Sequence, residues 1–153
     1  MGSGPGWLGA RFTTRRASSR RLMASVLLDT TVVIDVLKGR PSTVARLDAL
    51  ARMGDVPFVC AITVEEVTSG LFPRERDAAS ALFEGLAIAP LGMEEGRLAG
   101  WWRREFRRRG TTLSQANALV AAAASEIGAR IATGNPKDFP MRNVVVEHWP
   151  VGE

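Results

Sequence analysis

The chain has 153 residues, of which 46% are hydrophobic and 24% are charged, a balance typical of one globular domain rather than a disordered segment. No apolar run approaches the roughly 20 residues that a membrane-spanning helix needs, and the single cysteine, Cys60, excludes an intrachain disulfide and favours a reducing cytoplasm. The formal net charge of +4 does not indicate a nucleic-acid-binding domain, because residues 1–22 contain five arginines and no acid, so that 15 basic and 16 acidic residues remain.

Residues 1–22 form an Arg-, Ser- and Gly-rich leader without apolar periodicity. This leader lacks the apolar central stretch of a secretory signal, although its acid-free composition is superficially similar to an organelle transit peptide. We interpret it as a disordered arm or a non-native extension. The domain is therefore predicted to occupy residues 23–153, because Met23 lies just before Ala24-Ser25-Val26, where the first predicted strand begins.

From residue 25 onward, short β-branched runs alternate with helical stretches, which predicts βαβ units and a parallel sheet. The predicted strands are short and apolar, as expected when helices cover both faces: 26–28, 56–60, 86–89, 130–133 and 144–146. The predicted helices are 31–38, 42–53, 64–71, 75–85, 93–109 and 115–128. In the fifth helix, Leu98, Trp102 and Phe106 recur every four residues and predict a core-facing stripe. The sequence predicts one layered α/β domain with about five mainly parallel strands.

Four polar residues lie near the points where predicted strands give way to helices or turns: Asp29, Glu66, Asn117 and Asp138. Open parallel sheets bind ligands beyond the carboxyl ends of their strands, so these residues are candidates for one shared pocket. Each also has a simpler interpretation. Asp29 fits a helix cap, Glu66 fits the capping box Thr63-x-x-Glu66, Asn117 fits an ordinary polar position at the edge of a helix stripe, and Asp138 fits a turn.

Carboxylates that converge within a few ångströms repel one another unless a cation offsets their charge. Oxygen ligands without a His or Cys cluster suit Mg²⁺ or Mn²⁺ rather than zinc. The single histidine, His148, lies near the C-terminus and is interpreted as a surface or packing residue. A site of this kind is able to bind a phosphodiester, polarise a water molecule and stabilise the leaving oxygen.

Four segments carry a resemblance to a known family: LLDTTVVIDVL, AITVEEVTSG, LSQANALVAAAA and ATGNPKDFP. Their order and spacing resemble the PIN-domain ribonucleases, in particular the VapC toxins of bacterial toxin–antitoxin pairs. They extend from about residue 26 to residue 146 and thus cover nearly all of the domain. The resemblance implies a three-layer α/β/α sandwich and RNA cleavage that depends on Mg²⁺ or Mn²⁺.

The same resemblance implies roles for individual residues. The catalytic positions fall on Asp29, Glu66, Asn117 and Asp138, and the metal ligands among them would be Asp29, Asn117 and Asp138. Three further residues are expected to line the pocket: Thr30, Thr133 and Asn135. The resemblance also implies a VapB-type antitoxin as partner, an RNA substrate, a homodimer, contact with operator DNA only through the antitoxin, and no membrane association.

Asn117 departs from the family pattern, which has aspartate at this position. An asparagine is neutral, coordinates a metal only through its carbonyl oxygen and cannot act as a base. We therefore expect an attenuated or inactive nuclease. An exchange introduced to silence a toxic enzyme and a naturally weakened family member are both compatible with the sequence.

The fifth predicted helix carries two pairs of arginines spaced four residues apart, Arg103/Arg107 and Arg104/Arg108. Basic groups beside an acidic pocket would hold an RNA backbone that the pocket repels, so Arg104 and Arg108 are possible RNA-binding residues. The alternative is a solvated helix face with arginine stems packed on Trp101.

Two other functional classes are alternatives to the nuclease. Asn117 favours a non-catalytic binding module that acts through protein or operator-DNA contacts, whereas the retained Asp29, Glu66 and Asp138 favour the nuclease. A phosphatase or receiver domain requires a second acid close to Asp29, which is absent. Neither GxGxxG nor GxxxxGK[ST] occurs, so dinucleotide-binding and P-loop folds have no support.

Overall fold

A computed structural model describes residues 24–153; the leader of residues 1–22 lies outside this range. The elements in chain order are β1 (Ser25–Leu28), α1 (Thr30–Leu37), α2 (Pro41–Met53), β2 (Val56–Cys60), α3 (Ala61–Ser69), a 3-10 turn (Pro73–Glu75), α4 (Arg76–Gly85), β3 (Ala87–Ala89), α5 (Met93–Arg108), α6 (Gln115–Ile127), β4 (Arg130–Thr133), a second 3-10 turn (Pro136–Asp138) and β5 (Val146–His148). No helix within the described range has the length and apolar character needed to span a bilayer.

The strands form a five-stranded sheet in the order β3-β2-β1-β4-β5. All neighbours pair in parallel: Leu27 of β1 lies between Phe58 and Ile131, and the outer strands align through Phe58 with Ala87 and through Ile131 with Val146. Since β1 is central, the residue that follows it lies at the middle of the carboxyl edge, where parallel sheets bind ligands.

Helices cover both faces of the sheet, so the strands are apolar on both faces. On one side, Val26, Leu28 and Ala132 pack against α1, α2 and α4. On the other side, Leu27 and Ile131 pack against α5 and α6. The alternation follows from the strand geometry, in which successive side chains point to opposite faces. The predicted three-layer α/β/α sandwich with a parallel five-stranded sheet is therefore confirmed.

Two predicted elements have boundaries that are wrong by two or three residues. The third helix begins at Ala61 rather than residue 64, because the chain passes from β2 into α3 through Cys60 without a loop. The last strand is Val146–His148 rather than 144–146. Val144 instead takes part in the preceding turn, where its backbone N–H donates to the carbonyl of Met141 at 3.4 Å, and its side chain is buried in the core.

The C-terminal segment after β5 folds back against α1. Asp35 is buried, and its Oδ2 accepts hydrogen bonds from Thr43 Oγ1 and from the backbone N–H of Gly152, both at 2.9 Å. Val151 lies against Gly134, where a Cβ atom would come within 2.6 Å of a Val151 methyl group. The C-terminal segment thus packs directly on the turn that follows β4.

Candidate active site at the carboxyl edge of the sheet

Asp29 is the central residue of the candidate site and is only 4% exposed. Its Oδ2 accepts hydrogen bonds from Thr31 Oγ1 at 3.0 Å and from Thr133 Oγ1 at 2.8 Å. Asp29 occupies the N-cap position of α1, but its carboxylate makes no capping bond to a backbone N–H of that helix. The interpretation of Asp29 as a side-chain helix cap is therefore wrong, and the carboxylate is held by two hydroxyls instead.

Both hydroxyl groups also accept hydrogen bonds from the turn after β4. The backbone N–H of Gly134 donates to Thr31 Oγ1, and that of Asn135 donates to Thr133 Oγ1, each at 3.0 Å. Each hydroxyl accepts a hydrogen bond from a backbone N–H and has a single proton of its own. That proton is donated to the Asp29 carboxylate. These hydrogen bonds join the carboxylate and the turn in one network, the Asp29 network, which consists of Asp29, Thr31, Thr133, Gly134 and Asn135. Sequence reasoning selected Thr133 and Asn135 for the pocket but missed Thr31, whose signal was its position two residues after the acid.

Glu66 lies in the second turn of α3 and is exposed to solvent. Its Oε1 accepts a hydrogen bond from Thr30 Oγ1 at 2.9 Å, which places Glu66 beside the start of α1, where Thr30 directly follows Asp29. The alternative capping box is wrong, because Cys60 rather than Thr63 precedes the helix. The hydroxyl of Thr63 is fully buried and finds no hydrogen-bond partner among the described residues.

Asn117 is the third residue of α6, as predicted, and Ser114 caps the helix by accepting a hydrogen bond from the Asn117 backbone N–H at 3.0 Å. Helix α6 directly precedes β4, which runs parallel to β1. The helix therefore returns the chain from the carboxyl edge of the sheet to the amino edge, so its first turn lies at the carboxyl edge. The Asn117 side chain is half-buried. Within residues 24–153 it makes no hydrogen bond to Asp29 or Glu66.

Asp138 ends the 3-10 turn that follows β4 and is half-buried. Its backbone N–H donates to the carbonyl of Asn135 at 3.1 Å, so the turn places both predicted residues just beyond the strand. In the described part of the chain, the Asp138 carboxylate accepts no hydrogen bond and pairs with no basic side chain. The predicted site residues thus fall into a hydrogen-bonded set around Asp29, a separate Thr30–Glu66 pair, and two positions, Asn117 and Asp138, whose side chains bond to neither.

The donor set at this edge fits a hard divalent cation in chemistry, because it consists of carboxylate, hydroxyl and amide oxygens. It contains fewer charged ligands than the family pattern supplies. Among residues 24–153, no group of three or more His, Cys, Asp or Glu side chains lies close enough together to hold a metal ion. With Asn117 the pocket lacks one of the carboxylates that the family pattern supplies.

Cys60 lies at the end of β2, beside the candidate site, and was predicted to be a buried, inert thiol. Its side chain is fully buried. Burial raises the pKa of this thiol, and the nearby charge of Asp29 acts in the same direction, while hydrogen bonds from the backbone N–H groups of Thr63 and Ile62 act against it. Since the thiolate is the reactive form, the raised pKa agrees with an inert role.

Arg104 and Arg108, the predicted RNA-binding residues, are exposed on α5. Arg108 pairs with Glu105 at 3.4 Å, a contact between solvent-exposed groups that stabilises little. Neither arginine makes a hydrogen bond or ion pair with the described residues of the Asp29 network. His148 is exposed, as expected.

Comparison with known proteins places the chain in a family. A family model described as the PIN domain matches residues 26–141. Ribonuclease VapC19 of Mycobacterium tuberculosis is 27% identical over 115 residues, which cover 75% of this chain and 92% of that protein.

Two solved structures have similar folds. VapBC from Salmonella typhimurium bound to DNA has a TM-score of 0.73 at 22% identity and covers 83% of this chain and 99% of that chain. A toxin–antitoxin complex from Klebsiella pneumoniae has a TM-score of 0.64 at 25% identity, with 78% and 95% covered. Because the matching family model spans most of the chain and the fold agrees, this protein belongs to the PIN-domain family.

Proposed function

We propose that this protein is a VapC-type endoribonuclease toxin of the bacterial cytoplasm, that it depends on Mg²⁺ or Mn²⁺, and that a VapB-type antitoxin neutralises it. Membership of the PIN-domain family and the similarity to a mycobacterial VapC ribonuclease support this proposal. So does the similarity to solved toxin–antitoxin complexes.

The observation that carries the proposal is the buried carboxylate of Asp29, with two hydroxyl donors aimed at one of its oxygens. A buried charge is costly unless it is paired or hydrogen-bonded. The second oxygen, Oδ1, makes no hydrogen bond within the described residues and is available to a ligand. A purely structural cap would bond to the start of its helix, which Asp29 does not do.

In the proposed mechanism, Asp29, Asn117 and Asp138 would hold the metal ion. When bound, that ion supplies charge neutralisation at the scissile phosphate and polarises a water molecule. Thr31 and Thr133 fix the orientation of the Asp29 carboxylate, and the N–H groups of Gly134 and Asn135 fix both hydroxyls. Thr30 orients Glu66, whose Oε2 makes no hydrogen bond within residues 24–153 and is free to accept a proton from an attacking water.

Asn117 lowers the activity expected of this chain. Replacing a carboxylate by an amide removes one negative charge from the metal site and leaves only a carbonyl oxygen as ligand. We therefore propose that metal affinity and cleavage rate are both below those of a relative with aspartate at this position.

A titration of Mg²⁺ or Mn²⁺ into this protein and its Asn117→Asp variant tests the proposal. Calorimetry measures metal binding, and electrophoresis of total cellular RNA measures cleavage. We expect tighter metal binding and faster cleavage in the variant, and toxicity on expression unless the antitoxin is present. Adding Asp29→Ala to the variant should abolish cleavage.

Ala45→Asp is a matched control, because it introduces the same charge at an exposed position on α2 outside the pocket. This control should change neither metal affinity nor cleavage. A variant Asn117→Asp that binds metal but cuts no RNA would refute the nuclease assignment.

An apolar groove next to Glu66 supports the proposed antitoxin partner. The groove has a volume of 280 Å³ and is lined by residues of α1, α3 and the following turn, among them Ile34, Leu71 and Phe72. Phe72 is 59% exposed. An extended antitoxin segment that fills this groove would place a basic residue close to Glu66 and Asp29, where it would pair with the carboxylates and exclude the metal.

Co-purification from cells that express both genes tests this antitoxin site. Phe72→Asp should weaken recovery of the antitoxin. Met53→Asp, at an exposed apolar residue on α2, should not. Equal recovery with both variants would remove the groove from the proposal. By analogy with the solved complexes, we propose that the protein forms a homodimer and approaches operator DNA only through the antitoxin.

A non-catalytic binding module remains the second candidate, and Asn117 is the observation that favours it. The lack of three clustered acids among the described residues points the same way. The native codon at position 117 discriminates between the two. An aspartate codon would show that the amide was introduced, whereas a native asparagine with no metal binding would favour the module.

A further inference from the structure

A second concave surface lies along the C-terminal half of α5, and its lining shares no residue with the Asp29 network. This α5 groove has a volume of 690 Å³. Its lining consists of α5 residues from Leu98 to Arg109 on one side and the segment Met141, Arg142 and Asn143 on the other. Asn143 also lines the cleft beside Ala24 and Gly128, at the amino ends of β1 and β4, so the groove reaches toward the edge of the sheet opposite the candidate active site.

Aromatic side chains are unusually accessible in the α5 groove. Trp101 is 61% exposed, whereas its neighbour Trp102 is buried in the core. Phe106 is half-buried, and the guanidinium of Arg109 lies over its ring, 5.4 Å from the centroid. An exposed tryptophan on a rigid helix offers a flat surface on which a planar group is able to stack.

The charge around the α5 groove is strongly positive. Two arginines line the groove, Arg109 just after α5 and Arg142 on the facing segment, whereas Glu105 is the one acid in the lining and already pairs with Arg108. A second copy of this chain docked here about a two-fold axis would gather four lining arginines with only two glutamates, each already paired with its Arg108, because such an interface uses the same patch on both subunits. The surface therefore favours an anionic partner with planar groups.

We propose that the α5 groove binds a single-stranded segment of the RNA substrate outside the catalytic pocket. Trp101 stacks on a base, and Arg109 and Arg142 contact phosphates. Single-stranded nucleic acids are bound by this combination of aromatic platforms and positive charge. The inference rests on the proposed ribonuclease function and adds a substrate-binding surface to it.

The α5 groove is within reach of the same RNA strand as the candidate active site. Arg142 follows Asp138 by four residues, so their Cα atoms are at most about 14 Å apart. Phe139 and Met141 between them are buried and anchor the connecting segment in the core. An RNA strand of a few nucleotides is able to bridge the two surfaces.

Fluorescence anisotropy with a labelled 20-nucleotide single-stranded RNA, in EDTA to prevent cleavage, tests the inference. Trp101→Ala should weaken binding about tenfold or more, as expected for the loss of one stacked base. Arg109→Gln combined with Arg142→Gln should lower the slope of log K against log salt by about 1.4, at roughly 0.7 per phosphate contact on a single strand.

Two control variants match these changes on surfaces outside the groove. Met93→Ala removes another exposed apolar side chain from α5, and Arg52→Gln combined with Arg97→Gln removes two exposed charges. Both controls should bind RNA like the parent protein. Thermal unfolding identifies any variant that has lost its fold, and photocrosslinking of 4-thiouridine RNA to the unmodified protein, mapped to Trp101, supports the site without any substitution.

Parent-like RNA binding by both groove variants would overturn the inference, as would crosslinks confined to other surfaces. The inference is also overturned if Trp101→Ala changes the oligomeric state or antitoxin recovery while RNA binding is retained. A failure of the proposed nuclease activity gives a different pattern, namely groove-dependent RNA binding without cleavage by the Asn117→Asp variant. If that variant cleaves RNA and the groove substitutions change nothing, the groove inference alone fails.

Discussion

The clearest quantitative prediction concerns the hydrogen bond from Thr133 to Asp29. The Thr133 hydroxyl is fully buried and lies 2.8 Å from Asp29 Oδ2. Thr133→Val removes this bond while nearly preserving the shape of the side chain. A hydrogen bond to a charged group contributes about 1.5–3 kcal/mol, and the N–H of Asn135 also loses its acceptor. We therefore expect the free energy of unfolding to fall by about 2 kcal/mol.

Urea unfolding followed by circular dichroism measures this loss, and a double-mutant cycle assigns it to the pair. Thr133→Val, Asp29→Ala and the double variant should show a coupling energy of about 1.5–3 kcal/mol. Thr112→Val, at an exposed threonine, should change stability by less than about 0.5 kcal/mol. Effects that add to within about 0.5 kcal/mol would refute the reasoning, because they would show that the two side chains stabilise the fold independently.

Three further predictions follow from buried or paired groups. Asp35→Ala should lower the free energy of unfolding by about 2–4 kcal/mol, because Thr43 and the Gly152 N–H lose their acceptor. The same change should accelerate carboxypeptidase digestion of the C-terminal segment. Unchanged digestion would contradict the anchoring of this segment by Asp35. Burial acts to raise the pKa of Glu147, but hydrogen bonds from Trp149 and Arg130 and the charge of Arg130 outweigh it, so the pKa is lowered. This contribution to stability is present above the ordinary carboxyl pKa and is lost as the pH falls through the folded value, so Glu147→Gln should flatten the acid side of the stability profile measured by urea unfolding. Iodoacetamide at pH 8 should modify Cys60 far more slowly in the native protein than in urea, as mass spectrometry would show, because burial raises the pKa of the thiol and blocks access; equal rates would contradict the buried position.

Much of the fold was predictable because its signals are local. The apolar run of β1 and the helical spacing of Leu98, Trp102 and Phe106 depend only on neighbouring residues, and the structure confirms both. The two boundary errors have the opposite origin. The start of α3 and the position of β5 depend on how the chain meets the rest of the sheet, which residue propensities do not encode.

In the candidate site, too, part of the arrangement was predictable from the sequence and part was not. Asp29, Glu66, Asn117 and Asp138 could be selected from the sequence because each stands near the end of a predicted strand or at the start of the element that follows. Their partners could not be assigned. The choice between a helix cap and a pocket residue for Asp29 depended on whether its carboxylate faced the helix or a distant hydroxyl.

The sequence by itself determined the layered α/β architecture, the family resemblance and the missing charge at Asn117, since each of these is encoded in residue type and spacing. Only the tertiary structure decided that Asp29 is held by Thr31 and Thr133, the latter 104 residues away, and that Thr30 orients Glu66. The reason is geometric: pairing β1 with β4 and placing α3 beside α1 brings together side chains whose separation along the chain carries no information about their contact.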